Sequence, residues 1–156
     1  MQLSTHLSLA EVTYSETAKR AGVSNEPTAP HLEAMKKLAE HIFEPIRNHF
    51  QKPIKVSSGY RSAALNAITP GSSATSQHCK GEALDLDQDG MPTGITNKMV
   101  FDYIKGNLNF DQLIWEYGTD TNPDWVHVSF SASGTQRKQV LRCKRNAAGQ
   151  PVYTNF

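Results

Sequence analysis

The sequence has few cysteines, a nearly balanced charge and no long apolar run. Its two cysteines, Cys79 and Cys143, are too few for a disulfide scaffold, and neither belongs to a C-x-x-C pair of the kind that holds structural zinc. We expect two ordinary thiols, with a single disulfide between them as the alternative. The 16 basic and 15 acidic residues leave a formal net charge of +1, which gives no electrostatic basis for binding nucleic acid or a membrane surface. The basic stretch "RCKRN" near the C-terminus is expected to be a solvated strand rather than a phosphate-binding patch.

Segments that direct a chain into or across a membrane are also missing. No stretch reaches about 18 consecutive apolar residues, so no transmembrane helix is predicted. The N-terminal "MQLSTHLSLAEVTYSE" lacks the basic start and continuous apolar core of a secretory signal. We expect a chain made without an export signal, or one that has lost it. With 156 residues it is long enough to bury a hydrophobic core, and we expect one domain over residues 1–156 that acts as a monomer.

Helical patterns dominate the first third of the chain, and strand patterns dominate the second half. Ser8 and Glu11 fit a capping box, which predicts a first helix that runs to Gly22 as its C-cap. "HLEAMKKLAEHIFEPIRNHF" has apolar residues at helical spacing, and Pro45 is expected to kink or split this helix. Shorter helices are predicted in "RSAALNAI" and "TNKMVFDYIKGNL", and strands in "KPIKVSSGYR", "EALDLD", "FDQLIWEY", "WVHVSF", "QVLRCKRN" and "PVYTNF". Helices followed by mostly hairpin-linked strands predict an α+β fold, with N-terminal helices packed on a central antiparallel sheet.

The stretch "SQHCKGEALDLD" combines one histidine with several carboxylates. In a strand over "EALDLD" the two leucines share one face, and Asp85 and Asp87 share the other. Burial of the leucines would direct the carboxylates towards a cleft or solvent, close to His78 in the preceding loop. Ser76 is expected to hydrogen-bond in this loop, and Gly81 to allow a close backbone approach. A solvated loop that leads into an edge strand is the alternative.

The stretch "WVHVSF" shows the same alternation. Its two valines lie on one face, while Trp125, His127 and Ser129 lie on the other. A histidine that faces the same cleft as an aspartate is a sensible third metal ligand, together with His78 and Asp85. Two histidines and one carboxylate suit zinc, although cobalt and manganese accept the same donors. Three protein ligands leave the fourth position to a water, as in catalytic rather than structural sites.

A second metal-binding interpretation concerns "DLDQDG", which matches the opening of an EF-hand loop. The twelfth position of that loop would be Thr96 rather than a glutamate, and no helix is predicted before Asp85, so an EF-hand is excluded. A weak calcium site near Asp87 and Asp89 is the alternative that is left. We expect Asp87 to be solvated or to support one of the ligands.

Taken together, "SGYRS", "SQHCKGEALDLD" and "DWVHVSF" resemble the zinc D-alanyl-D-alanine carboxypeptidase family. Its members share Ser-x-His-x-x-Gly-x-Ala-x-x-Asp or close variants, followed by an acidic residue three positions before a last histidine. Vancomycin-resistance dipeptidases, phage peptidoglycan endopeptidases and the Hedgehog signalling domain belong with this family. The resemblance extends from "SLAE" to "WVHVSF" and implies the Hedgehog and D-Ala-D-Ala peptidase fold. "ETAKRAGVSNEP" is similar to the leader of phage and prophage members.

The resemblance also implies roles for individual residues. It makes His78, Asp85 and His127 the zinc ligands, Asp124 the general base and Arg61 the cation that faces the scissile carbonyl. Glu116, in "IWEY", is the alternative base. Since Asp124 would face away from His127 in a regular strand, we expect it in the turn before the strand. Asn122 stands where the zinc carboxypeptidases of the family can carry a histidine, which leaves the choice of substrate open.

The function implied by the resemblance is zinc-dependent hydrolysis of an amide bond in bacterial peptidoglycan stem peptides. The enzyme would be either a carboxypeptidase that removes terminal D-Ala or an endopeptidase of the endolysin type. A phage endolysin would accumulate in the host cytoplasm and reach the cell wall after the membrane is permeabilised. The alternatives are a catalytically silent zinc-containing binding module of the Hedgehog type and a virion-associated cell-wall domain.

Overall fold

Six strands form one sheet in the computed structural model, which describes all 156 residues. They are β1 (Val56–Ser58), β2 (Ala83–Leu86), β3 (Gln112–Glu116), β4 (Trp125–Ser129), β5 (Gln139–Arg145) and β6 (Pro151–Asn155). Their order across the sheet is β1-β2-β4-β3-β5-β6. Helices and strands thus occur in the predicted order, and the α+β class is confirmed.

The predicted antiparallel pairing is wrong for one pair of strands. The pairs β1–β2, β2–β4, β3–β4 and β5–β6 are antiparallel, but β3 and β5 run parallel. After β4 the chain passes over the end of the sheet at which β3 begins. β5 starts at the same end, with Gln139 opposite Gln112. Because β3 and β5 begin at the same end of the sheet, they run in the same direction.

Six α-helices accompany the sheet: α1 (Leu9–Thr13), α2 (Glu16–Ala21), α3 (Ala29–Leu38), α4 (Glu44–Phe50), α5 (Ala63–Ile68) and α6 (Asn97–Asn107). The capping box at Ser8 is present. The prediction of a single helix from Ser8 to Gly22 is wrong, because the backbone is extended at Tyr14. Ser15 then caps a new helix through its side-chain oxygen, and Gly22 ends that helix in the left-handed conformation, as predicted. None of the helices has the length and apolarity needed to cross a bilayer.

Pro45 is accommodated without a break in the helical path. A π-helical turn, Ala39–Phe43, connects α3 to α4. Pro45 follows in the first turn of α4, and it has no N–H to donate to the preceding helical turn. The π-helical turn is therefore the irregularity that accompanies the proline.

A core of 24 buried residues lies between the helices and one face of the sheet. The leucines of β2 and the valines of β4 are completely buried in it, as predicted: Leu84, Leu86, Val126 and Val128. Phe101 of α6 packs edge-on against Trp115 of β3, with a distance of 5.2 Å between ring centroids. This packing leaves the opposite face of β2, β4 and β3 for the polar side chains that alternate with the core residues.

Candidate metal centre

Three metal-ligating side chains meet on the sheet face opposite the core. Asp85 lies directly opposite His127 in the antiparallel pair β2–β4, and both side chains point away from the buried leucines and valines. His78 comes from a short 3₁₀ turn, Gln77–Lys80, immediately before β2. One ligand atom from each residue lies within 4.8 Å of the other two. The structure thus brings together the predicted set of His78, Asp85 and His127.

The turn that carries His78 is fixed at both ends. The side-chain oxygen of Ser76 caps it and accepts a hydrogen bond of 3.3 Å from the N–H of His78. Gly81 ends it with a φ of 72°, and a Cβ at this position would lie 2.5 Å from the carbonyl oxygen of His31. Glycine is therefore required for the turn to approach α3 this closely.

The imidazole of His78 is oriented by the backbone of Gly59. Nδ1 of His78 lies 2.6 Å from the carbonyl oxygen of Gly59. A carbonyl oxygen only accepts, so Nδ1 carries a proton, and in a neutral ring that binds a metal Nε2 supplies the lone pair. Metal-binding histidines typically have such a partner, because it fixes both the ring and its tautomer. No motif in the sequence indicates this role of Gly59, because the role depends on a carbonyl and not on a side chain.

The spacing of the donor atoms fits a zinc ion. Ligands held at about 2.1 Å in a tetrahedron lie roughly 3.4 Å apart. Oδ1 of Asp85 lies 3.3 Å from Nε2 of His78 and 3.0 Å from Nδ1 of His127. Two imidazole nitrogens and a carboxylate oxygen are also the donor types that zinc prefers. The three residues therefore match zinc in donor chemistry, and the two distances from Asp85 are close to those of a tetrahedral site.

The charge state of Asp85 suits a ligand. Burial by itself raises the pKa of Asp85, but the charges and hydrogen bonds of His78 and His127 outweigh it and hold the pKa well below its usual range. The carboxylate is consequently ionised at neutral pH, which metal binding requires.

The metal-ligating cluster lines an open cleft of about 680 Å³. Glu116, at the end of β3, lines the same cleft. In the pairing of β3 with β4, Ile114 is opposite His127 and Glu116 is opposite Trp125. Glu116 therefore lies two residues further along the face that carries His127.

Glu116 is buried at this position, with only 7% of its surface exposed. Burial raises the pKa of Glu116 to about 7, while His127 opposes the rise and Asp85 adds to it. A carboxyl group that titrates near neutrality can both accept and donate a proton at physiological pH. Glu116 thus has the environment of a general base in the metal-free protein.

Asp124 lies in the turn before β4, as expected, but its side chain is outside this cleft. The residue is exposed and lines a neighbouring hollow of about 670 Å³. Its main-chain N–H donates a hydrogen bond of 2.9 Å to the carbonyl oxygen of Glu116. The structure therefore places Glu116, and not Asp124, in the cleft with the metal-ligating cluster. The role of Asp124 as general base stays a prediction.

Arg61 lies between β1 and α5 and lines the cleft. Its main-chain N–H donates to the carbonyl oxygen of His78 at 3.1 Å, and its Nη2 donates to Oγ of Ser76 at 3.2 Å. Its Nε is buried without a hydrogen-bond partner. No ion pair of the protein includes Arg61, so its charge is available to a substrate.

Two other polar residues of the motifs, Asn122 and Asp87, hydrogen-bond to nearby residues and not to the metal-ligating cluster. Oδ1 of Asn122 accepts a hydrogen bond of 2.9 Å from the N–H of Lys98 in the first turn of α6. Oδ1 of Asp87 accepts from Nδ2 of Asn97 at 3.1 Å and from the N–H of Asp89 at 3.0 Å. The metal-ligating cluster includes neither Asp87 nor Asp89.

The loop before β5, together with β5 and β6, contributes cleft residues that were not predicted from the sequence. These are Arg137, Arg145, Pro151 and Tyr153. The tail was predicted to form strands, but its position beside β3 depends on the parallel pairing, for which the sequence gives no signal. Cys143 of β5 and Cys79 are both free thiols, as expected.

A sequence model of the Peptidase M15 family matches residues 5–129. This region covers well over half of the chain. It contains the three candidate metal ligands and also Arg61, Glu116 and Asp124. The chain therefore belongs to the Peptidase M15 family, and the resemblance to zinc D-Ala-D-Ala carboxypeptidases is confirmed. A search of curated proteins found no match. The matched region ends at β4, so β5 and β6 lie outside it.

Proposed function

We propose that this protein is a zinc-dependent peptidase that hydrolyses an amide bond in peptidoglycan stem peptides. The observation that carries the proposal is the placement of Glu116 in one open cleft with the His78, Asp85 and His127 cluster. A structural zinc site needs neither an open approach nor a buried carboxyl group in the same cleft. Membership of the Peptidase M15 family supports peptide hydrolysis as the reaction.

His78, Asp85 and His127 would hold the metal. When bound, zinc supplies Lewis acidity, which polarises a carbonyl group and allows water to ionise near neutral pH. Glu116 accepts the proton of the attacking water and passes it to the leaving amine. The hydrogen bond from His78 to the carbonyl of Gly59 keeps the ring in place throughout.

Arg61 supplies the positive charge that the substrate meets beside this cluster. Its guanidinium has no carboxylate partner within the protein and is fixed by Ser76 in the turn that carries His78. From there it stabilises the negative charge that develops on the scissile carbonyl oxygen, or it binds a carboxylate of the substrate. Both roles need the same unpaired cation close to the metal-ligating residues.

The shape of the cleft favours an endopeptidase over a carboxypeptidase. Tyr117, Trp125 and Arg145 line both the main cleft and the neighbouring hollow, so the two are adjacent. A substrate chain can therefore continue past the metal-ligating cluster instead of ending there. Together with the similarity of "ETAKRAGVSNEP" to the leader of phage members, this supports a phage or prophage endolysin that reaches the wall after the host membrane is permeabilised.

The test is digestion of purified peptidoglycan, with products identified by mass spectrometry and metal content measured in parallel. We expect released peptide fragments from the zinc-loaded protein, none after chelation and recovery when zinc is restored. The fragments identify the bond and separate endopeptidase from carboxypeptidase activity. A protein that holds zinc but cuts no wall type would contradict hydrolysis and favour the binding module. A protein that binds no zinc would overturn the metal centre itself.

A further inference from the structure

The C-terminal strands complete the cleft on the side away from β1. Four cleft residues, namely Arg137, Arg145, Pro151 and Tyr153, come from beyond the region that the family match covers. In the strand order the ligands lie on β2 and β4, Glu116 lies on β3, and β5 and β6 follow. Arg61, just after β1, and Arg145, at the end of β5, are therefore on opposite sides of the metal-ligating cluster.

The three arginines of the cleft differ in the state of their charge. Arg137 is paired with the buried Asp111, with Nη2 at 2.8 Å from Oδ2. Arg61 and Arg145 belong to no ion pair. The cleft thus contains two cations that are free to meet an anionic group of the substrate.

Arg145 is held in place without using most of its donors. Its Nη1 donates to the carbonyl oxygen of Gly149 at 3.0 Å, and its guanidinium lies 4.3 Å from the centre of the Tyr117 ring. Tyr117 is itself fixed, because its N–H donates to the carbonyl of Cys143 at 2.9 Å and its ring packs on Trp125 at 5.3 Å. A guanidinium has five N–H donors, so a prearranged fork remains open for a carboxylate.

We propose that Arg145 is a specificity-determining residue that binds a free carboxylate of the substrate peptide, on the side of the scissile bond opposite Arg61. This inference rests on the proposed peptidase function and names the substrate class more narrowly, as a peptide with a carboxylate away from the bond that is cut. Arg145 lies on β5, outside the region that the family model matches.

The test uses pairs of synthetic stem peptides that differ only in a free carboxylate or a carboxamide at one acidic position. We expect the zinc-loaded wild type to prefer the carboxylate peptide at one position by about 10- to 100-fold in kcat/KM. Arg145→Gln should abolish that preference by losing activity on the carboxylate peptide alone, and Arg145→Lys should retain part of it. Arg20→Gln, in which the same change is made on the exposed surface of α2, should keep the full preference.

Two outcomes would overturn the role of Arg145. One is an unchanged preference in Arg145→Gln, and the other is an equal loss on both peptides, which indicates a structural role. If the wild type cleaves no peptide, the peptidase proposal fails, and binding of the same peptide pairs by calorimetry then decides the question for Arg145. Equal affinity of the wild type and Arg145→Gln for the carboxylate peptide would exclude carboxylate recognition.

Discussion

The main-chain N–H of Asp124 donates a hydrogen bond of 2.9 Å to the carbonyl oxygen of Glu116. The two candidate bases are therefore neighbours through their backbones, with Glu116 at the end of β3 and Asp124 just before β4. Their side chains nevertheless line different hollows, since Glu116 lines the cleft of the metal-ligating cluster and Asp124 lines the adjacent one. Cross-strand register accounts for the difference, because Glu116 follows Ile114 on the face that carries His127, whereas Asp124 precedes the strand.

Replacing these two residues separately identifies the base. We expect Glu116→Gln to lower kcat by about 10²- to 10⁴-fold, the usual contribution of general acid–base catalysis, while zinc remains bound. Asp124→Asn should stay within about threefold of the wild type, because its side chain is exposed and outside the cleft. The measurement is kcat on a defined stem peptide, with zinc content determined for each variant. The reverse result would establish Asp124 as the base that the sequence motif predicts.

This pair of residues shows what the sequence could and could not predict. Alternation along β2 and along β4 placed Asp85 and His127 opposite the core, since side-chain direction in a strand has a period of two. The preference for Asp124 as the base came from the family resemblance, which matches positions along the chain and contains no information on the register between neighbouring strands. Glu116 entered only as an alternative because its position depends on the pairing of β3 with β4.

Two features of the fold could not be predicted from the sequence, because both depend on tertiary structure. The strands of the tail were predicted, but the parallel pairing of β5 with β3 depends on where the connecting loop crosses the sheet. The cleft residues of the tail, such as Arg145, were missed together with that pairing. The break at Tyr14 was missed because Ser15 can either continue a helix or cap a new one, and tertiary packing decides between the two.

Gly59 is predicted to be required for metal affinity. A Cβ at this position would lie 2.5 Å from the carbonyl oxygen of Val12, so Gly59→Ala must shift the backbone that accepts the hydrogen bond of His78. We expect zinc affinity to fall by about 10- to 100-fold, as when other supporting partners of ligands are lost. Stability should fall by about 1–3 kcal/mol through overpacking. Competition with a metal chelator and thermal unfolding measure the two effects.

Gly106→Ala is the matched control for that substitution. No atom lies within 4 Å of a Cβ built at Gly106 in α6, and alanine is the better residue in a helix by about 0.5–1 kcal/mol. This variant should therefore be slightly more stable than the wild type and bind zinc equally well. Unchanged zinc affinity in Gly59→Ala would show that the carbonyl of Gly59 does not position His78.

Zinc binding is predicted to stabilise the fold. A ligand that binds only the native state adds about 2.7 kcal/mol at a free concentration 100 times its Kd, which corresponds to a rise in Tm of roughly 5–11 °C for a chain of this size. Asp85→Asn should lose most of this rise because it removes the central ligand. Asp89→Asn should keep it, since Asp89 lies outside the cluster. A loss in Asp89→Asn alone would instead favour the metal site near Asp87 and Asp89.

Asp111 is predicted to contribute to the loss of stability in acid. It accepts hydrogen bonds from Arg137 through Nε and Nη2 and from the main-chain N–H of the same residue, and it also accepts from Nε2 of Gln77 at 3.0 Å. Burial alone raises the pKa of Asp111, but the hydrogen bonds and charge of Arg137 outweigh it and lower the pKa below the ordinary value of 3.8. The stabilisation is therefore complete above the ordinary pKa and disappears as the pH falls through the lowered one.

Asp111→Asn should consequently lower the free energy of unfolding by about 1–3 kcal/mol at neutral pH, and the difference from the wild type should shrink as the pH falls below about 4. Denaturant unfolding at a series of pH values measures this. Asp102→Asn, whose partner Lys98 is exposed on α6, should change stability by less than about 0.5 kcal/mol at any pH. A difference for Asp111→Asn that stays constant down to pH values near 2 would show that the carboxylate charge contributes nothing.

The same variant should also weaken zinc binding, because Asp111 accepts a hydrogen bond from Gln77, which adjoins His78. A chelator competition at neutral pH tests whether the contact between Gln77 and Asp111 holds the His78 turn in place.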